Sequence, residues 1–153
     1  MKTVLLLMMA LIALAAPTTA MASSDATPGK TTSTASVSPR SASGCSVYTL
    51  KVYRDGVFGG RLWTWTTRMN VCWSGGHITK GTVTRTGTGS VTWVYDGIID
   101  SSKWGGVGSY RVGWYAQAKF TSALVQYVDS DAPWESATIY SDGHWTHKQS
   151  CGC

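Results

Sequence analysis

Leu62 to Trp73 reads LWTWTTRMNVCW, and its alternation decides the fold class. Trp63, Trp65, Met69, Val71 and Trp73 share one parity, while Thr64, Thr66, Arg68, Asn70 and Cys72 share the other. A period of two is the signature of a strand with one dry face and one wet face. Only Thr67 interrupts the apolar set. Twelve residues at about 3.3 Å each span roughly 40 Å, longer than the usual strand, so a bulge or bend part way along this stretch is expected.

The same period recurs downstream. Tyr110, Val112, Trp114, Ala116, Ala118 and Phe120 alternate with Arg111, Tyr115, Gln117 and Lys119, which predicts a second long strand over Tyr110 to Thr121 on the same core. Ser46 to Arg54 alternates around Tyr48, Leu50 and Val52, and Asp55 with Gly56 supplies a hairpin signal. Gly75 and Gly76 turn the chain into a β-branched run from Ile78 to Arg85, and Gly87 and Gly89 mark a further turn or bulge before Val91 to Tyr95. Asp96 to Gly108 shows no pattern and reads as a long loop. Leu124 to Val128 and Ala137 to Tyr140 read as shorter strands, with a loop at Asp129 to Glu135 and a hairpin at Asp142 and Gly143. About seven strands with frequent turns predict an all-β fold, an antiparallel β-sandwich or flattened barrel.

Before this domain lie two other segments. Lys2, the apolar run Val4 to Ala16 and the small residues Ala20 to Ala22 predict a secretory signal peptide over 1–22, cleaved after Ala22. The run is too short to span a bilayer, so a secreted, extracellular protein without an integral membrane segment is expected. Residues 23–44 hold eleven Ser or Thr among 22, with Pro28 and Pro39, and predict a disordered linker because they offer little apolar surface to offset ordering entropy. The single β domain is placed at 45–153.

Export makes the four cysteines a disulfide set. Cys45 with Cys72 is the first choice for a structural bridge. Cys151 and Cys153, separated by Gly152, are then a redox-active pair or an attachment point to another chain; the alternative is that one or both staple the C-terminus to Cys45 or Cys72. His144, His147, Cys151 and Cys153 carry zinc-ligand chemistry at a spacing that fits no standard finger, so no metal or other cofactor is assigned.

Lys and Arg outnumber Asp and Glu by ten to seven over 45–153, within a chain of net charge +5. This mild basic balance favours acidic envelope polymers, and the absence of a basic cluster argues against nucleic acid. The chain's one glutamate is Glu135, no serine or cysteine sits in a nucleophile motif, and the acids Asp129 and Asp131 or the pair Asp142 and His144 make a weak case for catalysis. A non-enzymatic role is expected.

Tryptophan is the better lead. Trp104 and Trp134 fall in predicted loops and Tyr115 on a predicted wet face, and such exposed rings serve as platforms for sugars. Trp104, Tyr115 and Trp134, with Asp129 and Asp131 nearby, are therefore the candidate site for a cell-envelope or environmental polysaccharide. The alternative is a secreted antagonistic, toxin-like protein acting on competitor envelopes through charge and aromatic loops.

Arg61, Leu62 and Trp63 ahead of an alternating strand that ends Val71, Cys72, Trp73, Ser74, Gly75, followed by Tyr110 with Arg111 and Pro133 with Trp134, resemble small secreted all-β proteins of actinobacteria. The resemblance implies compartment and fold class and carries over no catalytic residue.

Overall fold

A computed structural model describes residues 29–36, 42–124 and 129–153. The predicted signal peptide lies outside the described residues, as does most of the strand expected at Leu124 to Val128. The described residues form nine strands: β1 (Gly29–Ser36), β2 (Ser43–Asp55), β3 (Arg61–Ser74), β4 (His77–Gly89), β5 (Trp93–Gly105), β6 (Arg111–Ser122), β7 (Ser130–Asp131), β8 (Trp134–Tyr140) and β9 (Trp145–Ser150). They form two antiparallel sheets, β1-β2-β3-β4 and β5-β6-β8-β9, with β7 paired to β6 beside the start of β8. This is a β-sandwich, not a closed barrel.

The alternation of β3 holds along its whole length. Trp63, Trp65, Thr67, Met69, Val71 and Trp73 all point into the core and are buried. The irregularity expected part way along β3 is not found there; instead Leu62 bulges against β2 at its start, and Thr79 of β4 bulges beside Cys72 and Trp73 at its end. From the facing sheet, Val112, Trp114, Ala116, Ala118 and Phe120 of β6 and Ala137 and Ile139 of β8 close the core. Tyr110 departs from its predicted inward parity, being exposed just before β6 begins. At the β3–β4 hairpin, Gly75 and Gly76 both have positive φ (57° and 77°), as a tight two-residue turn requires.

A polar layer divides this core in two. One apolar cluster gathers around Tyr48, Met69, Trp114 and Ile139, the other around Trp63, Trp65, Ala118 and Phe120. Between them lie Thr67 and Glu135, both buried, and the Arg85 guanidinium, whose Nε is 3.4 Å from Glu135 Oε1. Thr67 is thus no defect in the pattern of β3. It lies in the polar layer, opposite Arg85 in the β3–β4 pair.

Two expectations are corrected here. Within the segment read as a linker, Gly29–Ser36 forms an edge strand paired with β2, from Gly29 opposite Arg54 to Ser36 opposite Val47; backbone hydrogen bonding, which composition does not report, holds it. The loop expected at Asp96 to Gly108 is mostly β5. Asp96 and Ile99 bulge out of register with β6, each bulge flips the side-chain parity, and the apolar period is lost.

The disulfides are Cys45–Cys72, at opposed positions on β2 and β3, and Cys151–Cys153. A staple from the C-terminus to Cys45 or Cys72 is therefore excluded. The C-terminal segment is held instead by backbone, with Ala132 N donating to Gly152 O at 3.2 Å, and by burial of Cys151.

Candidate functional site

The outward parity of β6 carries Arg111, Gly113, Tyr115, Gln117 and Lys119. Register places Trp104 of β5 opposite Gly113, Ser102 opposite Tyr115 and Asp100 opposite Gln117 on one side. On the other side Thr138 stands opposite Gly113, Ser136 opposite Tyr115 and Trp134 opposite Gln117. Directly opposed residues of an antiparallel pair share a face, so all of these lie on the outer face of the second sheet.

Three aromatic side chains cross that face on a diagonal. Trp104 reaches over the neighbouring strand and covers the backbone of Gly113, where a Cβ would overlap its indole. Two residues along β6 stands Tyr115, and its ring centroid is 6.5 Å from that of Trp134 at an interplanar angle of 36°. Diagonal positions on a sheet repeat at about 7–8 Å. All three rings are half-buried, seated by their neighbours yet open on one side.

Clefts extend the diagonal at two places. Beyond Trp104, a cleft of about 410 Å³ is lined by His77, Trp104, Tyr110 and Arg111 together with the Gly105 to Ser109 turn. The Arg111 guanidinium lies over the Tyr110 ring at 5.2 Å, and the Tyr110 and Tyr140 rings are 6.4 Å apart. Across β8 and β9, a shallow groove of about 260 Å³ is lined by Ser136, Thr138, Thr146, His147 and Lys148. Aromatic rings flanked by hydroxyls and cations can stack on apolar ring faces while bonding to polar substituents.

The candidate residues thus divide. Trp104, Tyr115 and Trp134 share one face, although Trp104 and Trp134 are on strands and not in loops. Asp129 and Asp131 do not join them, which corrects the expected site. The two-residue β7 turns Asp131 inward opposite Phe120, where Arg54 Nη1 donates to both carboxylate oxygens at 2.8 and 2.9 Å and Trp63 Nε1 donates to Oδ2. Asp129 lies 3.5 Å from the same Arg54 nitrogen. Both acids serve an intersheet clamp. Sequence reasoning missed His77, Tyr110 and Tyr140, which only the meeting of the β3–β4 and β5–β6 turns and the β8 end brings to the face.

Glu135 is also unavailable to ligand, being 3 % exposed. Burial pushes its carboxyl above the ordinary value of 4.5, and the Thr67 hydroxyl and Arg85 guanidinium pull part of the way back. His144 stacks on Tyr140 and His147 on Trp145. Among the described residues no three His, Cys, Asp or Glu side chains converge on a metal position. The chain matches no known protein family, no curated protein sequence and no solved structure.

Proposed function

We propose that this is a secreted, non-catalytic binding module whose ligand is a cell-envelope or environmental polysaccharide. The observation that carries the reading is the diagonal of Trp104, Tyr115 and Trp134 across three adjacent strands, bordered by Ser102, Gln117, Ser136 and Thr138. A flat, half-apolar strip of this kind matches an extended sugar chain, which presents alternating ring faces and hydroxyls. Arg111, Lys119 and Lys148 border the same face, so polymers bearing carboxylate or phosphate groups gain an additional, salt-sensitive attraction.

Affinity electrophoresis through gels cast with neutral or acidic soluble polysaccharides tests the reading. Retardation by a polymer, relieved in Tyr115→Ala and Trp134→Ala while both variants stay folded, supports it. Equal mobility in every gel refutes it.

A further inference from the structure

Cys151 and Cys153 are two positions apart, so their disulfide closes a minimal ring, and that ring is not what holds the fold. Cross-linking such near neighbours removes little freedom from the unfolded chain. The segment is already fixed by Ala132 N donating to Gly152 O, by Gly152 N donating to Ser150 Oγ at 3.4 Å and by burial of Cys151. Cys45–Cys72 differs, because it joins residues 27 apart in sequence across the β2–β3 pair.

The two residues of the pair differ in access. Cys151 is 6 % exposed and belongs to the apolar cluster of Trp63, Trp65 and Ala118, whereas Cys153 is exposed. The backbone between them keeps this arrangement. Gly152 is packed so tightly on Ala132 that a Cβ would overlap the carbonyl oxygen there, which holds Cys151 inside and Cys153 out. All four cysteines of the chain are engaged in its two disulfides, so a thiol that attacks this bond comes from a different molecule. A second oxidised copy has none to offer.

We propose that Cys153 is a covalent attachment point for another chain, one that carries an accessible cysteine thiol. The partner's thiolate attacks Cys153 Sγ by thiol–disulfide exchange. A new disulfide joins the partner to Cys153, the Cys151–Cys153 bond breaks, and the Cys151 sulfur takes up the proton that the partner thiol released. The partner sulfur is oxidised and the Cys151 sulfur reduced, so no external oxidant is required. In its apolar surroundings the Cys151 thiol resists ionisation, and a neutral thiol does not attack back. The same burial makes Cys151 a poor leaving group, so coupling is slow and its product durable. Cys45 is exposed as well, but β2 and β3 keep Cys72 opposed to it and only half-buried, ready to close the bond again.

Incubation of the oxidised, folded protein with an excess of a peptide containing one cysteine tests the proposal. Acid quenching, alkylation of free thiols and site-resolved mass spectrometry then locate each bond. The expected result is a mixed disulfide at Cys153, at least about tenfold more abundant than at the other cysteines together, with Cys151 alkylated and Cys45–Cys72 intact. Peptide joined to Cys151, or spread evenly over the cysteines, overturns the proposal. So does a pair that stays closed. A pair reduced to two thiols with release of peptide dimer also overturns it, since the site then transfers electrons and holds no partner.

Discussion

The Trp104 indole covers the Gly113 backbone so closely that any side chain at 113 would occupy the volume of the ring. Glycine at this position lets a residue of β5 lie across β6 and begin the aromatic diagonal. Gly113→Ala is predicted to push the indole off its seat, costing about 1–3 kcal/mol through overpacking and weakening polysaccharide binding at least about tenfold. Urea denaturation measures the first effect and titration of the folded variant the second.

Asp131 answers Arg54 and Trp63 from the facing sheet and is 1 % exposed. Asp131→Ala removes the acceptor for both donors and leaves a largely buried guanidinium without its closest carboxylate partner. The predicted loss is about 3–5 kcal/mol of unfolding free energy. Asp129→Ala, at the exposed edge of the same clamp, is predicted to cost less than about 1 kcal/mol. Chemical denaturation of both variants checks the contrast.

Glu135 gives stability a pH dependence of definite sign. Its carboxyl binds a proton more tightly in the folded chain than in the unfolded one, because burial raises its pKa above 4.5. The contribution is therefore full below 4.5 and is lost as pH climbs through the raised folded value. Wild type is predicted to lose stability over that window, and Glu135→Gln to lose the dependence. Urea midpoints measured at intervals from pH 4 to 8 decide it.

What could be read from the sequence follows from which strands have one dry face. β3 and β6 sit in the middle of their sheets, so burial writes a period of two into them, and the Trp63 and Trp114 rows were legible without coordinates. β5 was not legible: bulges at Asp96 and Ile99 shift its parity twice, and as an edge strand it keeps polar Ser101 and Lys103 on the inner parity. For that reason Trp104 reads from sequence as an exposed ring in a loop. Asp131 misled for the opposite reason, since two residues of β7 are too short to show a period, and nothing local announces that its carboxylate meets Arg54 across the sandwich. The Ser/Thr composition of β1 likewise said nothing of a strand held through its backbone.

The partnership of Trp104, Tyr115 and Trp134 is the central claim, and tryptophan fluorescence of the folded protein titrated with soluble polysaccharides and cell-wall fragments tests it most directly. The account predicts a saturable change with at least one polymer, weakened at least about tenfold in each of Trp104→Ala, Tyr115→Ala and Trp134→Ala with the circular dichroism spectrum retained. A response that survives all three substitutions, or no response to any polymer, would contradict it.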